Sequence, residues 1–291
     1  MSRKIFRKIV LTIFIALMLA LPALAAKPRP ETSVHLQKIS STLEFYEALG
    51  SDRTLVFEPG QYNLTNLDIP SKYFDKSRDG SDAKLFWDEV FDGYELRIKG
   101  MKNLTLRGTP TPEGGTTTDL IVNPRYAFVI HFEDCENIRI ESIVAGHSED
   151  GECQGGVYRF TNCTGVTLDR AEMYGSGTEG LKLDNARDVS VTFSTIFDCT
   201  YDIMTVEGGG NIAFENCKFT GNREFDLVNV AGVNGLTFDN CVFSGNRGGK
   251  MFVTDAGSKN VLVRNSRFEG NSMEEPIANA RNVAFTNCEF D

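Results

Sequence analysis

Side chains that could exchange protons or bind charged ligands recur at fixed places along the middle of this chain. Three basic side chains share one place, seven residues before a recurring apolar residue: His131, Arg159 and Lys182. Three carboxylates share another place, ten residues before the same apolar residue: Glu179, Asp202 and Asp226. Because guanidinium and ammonium groups bind carboxylates, the basic set predicts a substrate-binding surface for an acidic sugar.

The carboxylates suit two kinds of chemistry. All three carry the oxygen ligands that Ca²⁺ prefers, so they are a candidate metal site. Glu179 and Asp202 are also a candidate catalytic acid–base pair. Equivalent residues of neighbouring parallel strands lie about 4.8 Å apart. Repulsion at that distance raises the pKa of one carboxyl group, which then serves as the general acid.

A histidine marks a break in the regular spacing. Five extra residues fall between Val144 and Gly156, and they include the segment from Gly146 to Cys153 that contains His147. Histidine titrates near neutral pH. We therefore expect His147 to lie on a loop beside the charged columns and to act as a catalytic proton-transfer group.

The same residues also fit a purely structural role. Outward positions of any strand in water must be polar, and opposite charges there keep a protein soluble. A column of carboxylates also prevents strand edges from pairing with other chains. The spacing alone leaves both interpretations open.

The elements that would position these side chains are repeats of about 23 residues. The recurring apolar residue is found at seven places: Ile138, Val166, Val189, Ile212, Leu236, Val261 and Val283. A second apolar residue follows two positions later, and an inward column rich in phenylalanine follows seven positions later. Such self-similarity predicts a solenoid, in which each repeat buries its apolar face against its neighbours.

Each repeat has the pattern of short strands and not of helices. Apolar and polar residues alternate with a period of two, as in Gly235-Leu236-Thr237-Phe238, and Gly, Asn and Asp separate the strands. Four repeats carry an asparagine at one corner: Asn216, Asn240, Asn265 and Asn287. Asparagine tolerates the left-handed conformation of a tight corner, and its amide can bond to the next asparagine in the stack. Three strands and three turns per repeat predict a parallel β-helix.

The asparagine corners, the inward phenylalanine stack and the opening Pro59-Gly60-Gln61-Tyr62 resemble the right-handed parallel β-helix proteins of the pectate-lyase-like superfamily. The resemblance covers roughly Thr54 to Asp291 and implies an all-β, right-handed parallel β-helix. It implies no activity, since this fold hosts many functions. The catalytic motifs of polygalacturonases and pectate lyases are absent: Arg97-Ile98-Lys99 precedes Gly146-His147, and no glycine follows that histidine.

The N-terminal region predicts export and a cap. Residues 1–25 combine four basic residues, an apolar run and Ala23-Leu24-Ala25, which is typical of a cleaved signal peptide. Residues 26–53 then form a linker and an N-terminal capping helix that opens at the capping box Ser41-Thr42-Leu43-Glu44. Residues 54–291 form the β-helix domain, with insertions at 71–93 and 108–118. We expect the first insertion to be partly helical over Asp82 to Val90.

The net charge excludes one class of partner, and the cysteine spacing indicates how the thiols pack. Without residues 1–25 the chain has 26 basic and 40 acidic residues, a net charge of −14, which argues against nucleic acid. Cleavage would leave no stable membrane span. Cys217, Cys241 and Cys288 share one inward column, and Cys135 and Cys163 share another. This spacing favours buried, reduced cysteines, although a bridge within either column is also geometrically possible.

Three functions agree with these features. The first is an extracytoplasmic protein, in the periplasm, at the cell surface or secreted, that binds a polysaccharide or another surface ligand without catalysis. The second is a polysaccharide lyase or glycoside hydrolase with a groove near His147, with Ca²⁺ as a possible cofactor. The third is a structural exported protein that associates with a second copy through its last coil, where no polar cap follows Phe290-Asp291.

Overall fold

Short strands separated by tight turns make up nearly all of the structure, which is a computed structural model. It describes residues 35–65, 84–112, 115–149, 154–175 and 177–291, all within the unit from Ser33 to Asp291. The predicted signal peptide, much of the 71–93 insertion and Cys153 lie outside the described residues.

The first repeats contain α1 (Thr42–Ala48) and eleven strands: β1 (His35–Ile39), β2 (Arg53–Phe57), β3 (Gly60–Asn63), β4 (Lys84–Val90), β5 (Gly93–Lys99), β6 (Lys102–Arg107), β7 (Thr118–Val122), β8 (Ile130–Glu133), β9 (Glu136–Glu141), β10 (Val144–His147) and β11 (Tyr158–Thr161).

The later repeats contain a short 3₁₀ helix (Ile277–Asn279) and the remaining strands: β12 (Thr164–Asp169), β13 (Glu172–Tyr174), β14 (Glu179–Asp184), β15 (Arg187–Thr192), β16 (Thr195–Phe197), β17 (Asp202–Glu207), β18 (Gly210–Glu215), β19 (Lys218–Thr220), β20 (Val228–Ala231), β21 (Asn234–Asp239), β22 (Val242–Ser244), β23 (Arg247–Gly248), β24 (Phe252–Thr254), β25 (Lys259–Arg264), β26 (Arg267–Glu269), β27 (Ser272–Met273), β28 (Val283–Thr286) and β29 (Glu289–Phe290).

Three long sheets run along the solenoid. In the described part of the chain, sheet A has the order β1-β2-β6-β9-β12-β15-β18-β21-β25-β28. Sheet B has the order β3-β7-β10-β13-β16-β19-β22-β26-β29, and sheet C has the order β4-β5-β8-β11-β14-β17-β20-β24. The small pair β23–β27 completes the set. Each coil contributes one strand to each of the three sheets. This arrangement is a parallel β-helix, so the fold prediction is confirmed.

The register follows the repeat that the sequence predicts. Val166 pairs with Ile138 on one side and with Val189 on the other, and the same column continues to Val283 at the C-terminal end of sheet A. Inside, phenylalanine rings stack from coil to coil, with 4.7 Å between the ring centres of Phe243 and Phe268. Stacking of buried aromatic rings stabilises neighbouring coils by about 0.5–1.5 kcal/mol per pair beyond burial.

The asparagine corners adopt the predicted backbone conformation. Asn216, Asn240, Asn265 and Asn287 all have φ between 51° and 57°. The Nδ2 group of Asn240 donates to Oδ1 of Asn216 at 2.6 Å, and that of Asn287 donates to Asn265 at 2.8 Å. Asn265 donates instead to Asp239, so the ladder of amides is interrupted there.

A second asparagine ladder lies inside the solenoid and was not predicted. Asn222 and Asn246 are almost fully buried. Oδ1 of Asn246 accepts from the backbone N–H and the side-chain amide of Asn222, each at 3.0 Å, and Asn271 continues the column. Cys199 precedes this column, since its N–H donates to Asn222. The bonds satisfy backbone groups that would otherwise be buried without partners.

The cysteines pack as the column pattern predicts. Cys135, Cys163, Cys199, Cys217 and Cys241 are buried free thiols, and Cys288 is a partly exposed one. The pKa of the Cys241 thiol is raised, first because its S–H bonds to Cys217 and then because it is buried. Reduced cysteines therefore act here as small core residues.

The N-terminal cap forms as predicted. Ser41 accepts the N–H of Glu44 and begins α1, which buries Phe45 and Tyr46. Leu43 of this helix is 46% exposed. Strand β1 precedes α1 and pairs in parallel with β2. Within the described residues, sheet A therefore includes a strand that lies before residue 54, where the β-helix domain is predicted to start, and the domain boundary stays a prediction.

The prediction of a helix over Asp82 to Val90 is wrong. Residues from Lys84 onward form β4, which pairs antiparallel with β5. Phe86, Trp87 and Val90 are strong strand formers, and the hairpin places Trp87 against Tyr46 of the cap, with 5.3 Å between ring centres. Pairing with a sheet edge outweighs the helix preference of the charged residues. No helix in the described part is long and apolar enough to span a membrane.

The last coil is less covered than the others. Phe290 is 40% exposed, although its ring stacks on Phe268 at 4.9 Å. Self-association through this coil stays a prediction, which the mass of the particle at rising protein concentration tests by light scattering.

Candidate functional site

The outer face of sheet C carries the column of polar residues that the spacing predicts. His131 on β8 pairs with Arg159 on β11, and Arg159 pairs with Lys182 on β14. The column continues through Thr205 on β17 and Asn229 on β20. Parallel pairing therefore brings these residues into one ladder, one residue per coil.

The carboxyl groups of Glu179 and Asp202 meet beside this ladder. The two residues are register partners on β14 and β17, and both are more than nine-tenths buried. The hydroxyl oxygen of Thr205 lies 2.9 Å from Oε2 of Glu179 and 3.1 Å from Oδ2 of Asp202. A hydroxyl group has one hydrogen to donate. Either one carboxyl group is protonated and donates to Thr205, or the hydroxyl group shares its hydrogen between two carboxylates in a bifurcated bond.

The surroundings favour a shared proton at this carboxyl pair, Glu179 and Asp202. Burial, and then the charge of Glu179, raises the pKa of Asp202 to about 7, against hydrogen bonds from Asn229 and Thr205 that lower it. Burial also raises the pKa of Glu179, while the positive charge of Lys182 lowers it. Both pKa values are raised, so the pair keeps a proton to a higher pH than two isolated carboxyl groups would, and the proton belongs to the pair as a unit.

One oxygen of the pair lacks a partner. Oδ2 of Asp202 accepts from Nδ2 of Asn229 at 2.9 Å as well as facing Thr205. Oδ1 of Asp202 is buried and has no hydrogen-bond partner among the described residues. Buried polar atoms without a partner are rare in proteins. Those that do occur call for an explanation, and a functional role is one.

The two predicted sugar-binding cations differ in availability. Nε and Nη2 of Arg159 both bond to Oδ2 of Asp184, at 2.8 and 2.7 Å, so this guanidinium is already engaged. Lys182 has no ion pair within 4 Å in the described part of the chain and acts on Glu179 and Asp202 through its charge. Of the three residues predicted to bind a uronate, Lys182 is therefore the cation that the described residues leave without an ion pair.

His131 belongs to a closed network. Its Nδ1 lies 3.2 Å from Oε1 of Glu95, and its Nε2 lies 3.0 Å from the hydroxyl of Thr161. That hydroxyl donates to Asp184, and the other oxygen of Glu95 accepts the N–H of Phe128. These bonds hold the strands and the preceding loop in place, although Oδ1 of Asp184 is buried without a hydrogen-bond partner among the described residues.

The structure corrects the predicted position of His147. The residue ends strand β10 of sheet B, opposite Val122, and is buried instead of lying on an exposed loop. Its Nε2–H donates to the carbonyl oxygen of Ala127 at 2.9 Å, and burial lowers its pKa. The alternation from Val144 to His147 extends the sheet. None of the contacts of His147 is with Glu179 or Asp202.

The structure groups two of the three predicted calcium ligands. Oδ1 of Asp226 accepts the backbone N–H of Lys250 at 2.8 Å, which leaves Glu179 and Asp202 as the close pair. No three His, Cys, Asp or Glu residues of the described ranges are grouped to hold a metal ion. Ca²⁺ takes six to eight oxygen ligands, so this pair would have to be completed by ligand or water oxygens.

An open cleft lies at the turn between sheets B and C, directly beside Asp202. Its volume is about 650 Å³, and we call it the corner cleft. It is lined by Tyr201, Asp202, Glu224, Phe225, Asp226, Asn229, Gly249 and Glu274. The rings of Tyr201 and Phe225 meet edge to face, with 4.9 Å between centres, and Phe225 is 59% exposed.

The sequence contained a signal for this aromatic pair that the column analysis missed. Tyr201 immediately precedes Asp202, and Phe225 immediately precedes Asp226. The two aromatic residues therefore occupy the same position of successive repeats, next to the carboxylate column. A search for repeated aromatic residues beside that column would have found them.

The family of the chain follows from the repeat itself. A family model described as right handed beta helix region matches residues 128–290, more than half of the chain. This chain belongs to that β-helix family. The match includes Glu179, Asp202 and the corner cleft. No curated protein is a significant match to the sequence.

Solved structures show similarity in fold alone. A pectate lyase from Paenibacillus sp. 0602 has 10% identity and a TM-score of 0.49, with 81% of this chain and 71% of that chain covered. A pectate lyase from Bacillus sp. N165 in complex with trigalacturonate has 13% identity and a TM-score of 0.49, with 86% of both chains covered. A pectin methylesterase from Aspergillus niger has 12% identity and a TM-score of 0.43, with coverages of 86% and 70%.

Proposed function

We propose that this β-helix protein binds a polysaccharide in the corner cleft. The observation that carries the proposal is the exposed ring of Phe225, set edge to face against Tyr201 beside a row of hydrogen-bond acceptors. Aromatic rings provide apolar contact for the faces of sugar rings, and carboxylates accept hydrogen bonds from sugar hydroxyl groups.

The size and openness of the cleft support a polymeric ligand. Its volume of about 650 Å³ falls within the roughly 300–1,000 Å³ of typical ligand sites. The cleft lies on the outside of a turn between two sheets, so a chain can continue beyond it in both directions. Extended surfaces of this kind are how solenoids bind extended partners.

We further propose that the protein works outside the cytoplasm. The pattern of residues 1–25 supports export, which would give the cleft access to cell-surface or extracellular polysaccharides. Mass spectrometry of the protein from an extracytoplasmic fraction tests the location. An N-terminus just after Ala25 or Ala26 is the expected result, and recovery of an intact N-terminus in the cytoplasm would contradict it.

Titration calorimetry of the purified protein against a panel of neutral, acidic and amino-sugar oligosaccharides tests the binding function. We expect saturable binding to at least one class. The same titration of the Phe225→Ala variant shows whether the oligosaccharide binds in the corner cleft. Absence of binding throughout the panel would contradict the proposal.

Cleavage of the bound glycan is the second candidate, and the carboxyl pair favours it. The two carboxyl groups are too close to hold a water molecule between them, so the retaining mechanism is the one that fits. The protonated member would donate to the glycosidic oxygen as the ionised member attacks the anomeric carbon, and water would then hydrolyse the glycosyl-enzyme intermediate. Release of reducing ends, lost in Asp202→Asn, is the expected result for a hydrolase. An unsaturated product would indicate a lyase instead, and binding without turnover would leave the binding function alone.

A further inference from the structure

The charged residues that line the corner cleft are all acidic. Asp202, Glu224, Asp226 and Glu274 contribute carboxyl groups, and no lysine, arginine or histidine is among its lining residues. The guanidinium groups elsewhere on sheet C are occupied: Arg97 bonds to Asp88 and Glu133, and Arg159 bonds to Asp184. The face that carries the cleft therefore has little positive charge to offer an anionic ligand.

Glu224 stands at the rim of the cleft in an unusual conformation. Its φ of 94° departs from the 51–59° of the other non-glycine residues with positive φ, most of which form the repeating corners. A side chain in this region is strained, and such strain is found often at binding sites. Its nearest cation, Nη2 of Arg247, is 3.8 Å away, and both side chains are about half exposed or more. An exposed pair at that distance is weak, so the carboxylate is available to a ligand.

Asp202 provides the independent sign of a ligand. Its side chain lines the cleft and is more than nine-tenths buried, and its Oδ1 atom has no partner among the described residues. A buried oxygen in this state calls for an explanation, and a donor group on a bound ligand is one. An ammonium group brings three N–H donors and no acceptor.

We infer that the corner cleft selects a glycan that carries protonated amino groups and rejects polyuronates. The inference rests on the proposed function and names its ligand class. An amino sugar places positive charge among four carboxyl groups, and the same sugar ring contacts Phe225. A uronate would place another negative charge there, where the lining provides no cation. This reverses the acidic-sugar prediction made from the basic column.

Three hexasaccharides test the ligand class: β-1,4-linked glucosamine, its fully N-acetylated counterpart, and galacturonate. Calorimetry is done near pH 6 in dilute buffer, where the amines are charged and screening is weak. We expect the glucosamine hexamer to bind at least ten-fold more tightly than the acetylated hexamer and galacturonate not to bind. Equal or tighter binding of either other sugar would overturn the inference and leave the proposed function standing. No binding by any glycan would overturn both.

Two variants then assign the selectivity to the cleft. Glu224→Gln combined with Glu274→Gln removes two exposed charges of the lining while keeping side-chain size. We expect at least a three-fold loss of affinity for the glucosamine hexamer. Glu215→Gln, on the outer face of sheet A, removes the same kind of charge elsewhere and is the control. An unchanged affinity in the double variant, or an equal loss in the control, would overturn the assignment.

Discussion

Glu179 and Asp202 lie on adjacent coils and approach the same hydroxyl group, that of Thr205, to within 2.9 and 3.1 Å. Two carboxyl groups this close favour a proton on one of them, because like charges that share a site repel each other. This relationship places a protonatable group at the edge of the corner cleft, where a glycan would lie.

Replacing Asp202 by Asn changes how stability depends on pH. Burial raises the pKa of Asp202 from 3.8 to about 7, so the folded protein binds this proton more tightly than the unfolded chain does. The resulting stabilisation is complete below about pH 4 and is lost as the pH rises through 7. Asn does not ionise. We expect Asp202→Asn to be more stable than the wild type at pH 8 by up to roughly 4 kcal/mol, and similar to it at pH 4.

Urea denaturation at pH 4, 6 and 8 measures this difference. The control is Asp198→Asn, which removes an exposed carboxylate of the same coil and should leave the pH profile unchanged. If the stability of Asp202→Asn depends on pH in the same way as that of the wild type, Asp202 is ionised over this pH range and the carboxyl pair shares no proton.

Thr205 is expected to hold the carboxyl pair together. Thr205→Val keeps the shape of the side chain but removes the hydroxyl group that contacts both Glu179 and Asp202, and it should lower the free energy of unfolding by roughly 1–3 kcal/mol at pH 7. Thr205→Ser keeps the hydroxyl group and should recover most of the loss. Denaturant midpoints of the two variants give the comparison. Equal stability of Val and Ser would mean that the hydroxyl has no such role.

The buried asparagine ladder should stabilise the fold more than the exposed one. Asn246→Ala leaves the N–H of Asn222 and the carbonyl of Phe219 without their side-chain partner, at a cost of about 2–4 kcal/mol. Asn240→Gly removes an exposed ladder bond but keeps the left-handed corner, since glycine adopts it freely. Its cost should be about 1 kcal/mol or less. A larger effect in Asn240→Gly would reverse this ranking.

Buried thiols should resist modification in the folded protein. Peptide mapping after treatment with a thiol reagent should find Cys217 and Cys241 unlabelled in the native protein and labelled after unfolding, because both are buried free thiols. Cys288, which is partly exposed, is the internal comparison. A Cys217–Cys241 disulfide in the mapped peptides would contradict the packing interpretation.

The regular part of the fold was predictable because each strand repeats the environment of the one before it. The position of Val166 between Ile138 and Val189 follows from the spacing alone. Strand β4 was not predictable in this way, because it leaves the repeat to form a hairpin. His147 was misplaced for a related reason: a strand of four residues is too short for its alternation to outweigh the neighbouring insertion.

The candidate site was only partly predictable. The sequence placed Glu179 beside Asp202 and Arg159 beside Lys182, since register fixes which residues stack. It gave no indication that Arg159 bonds to Asp184, because side-chain partners across columns depend on rotamers and burial. The acidic-sugar prediction from the basic column and the amino-sugar inference for the corner cleft therefore both stay predictions, which the glycan panel tests.

The affinity of Phe225→Ala for the oligosaccharide that the wild type binds best tests the central claim most directly. Phe193→Ala is the matched control, because Phe193 is 56% exposed, like Phe225 at 59%, but it lies at the corner between sheets A and B, between β15 and β16. The account predicts at least a ten-fold loss of affinity in Phe225→Ala with an unchanged melting temperature, and wild-type affinity in Phe193→Ala. Wild-type affinity in Phe225→Ala would contradict binding at the corner cleft.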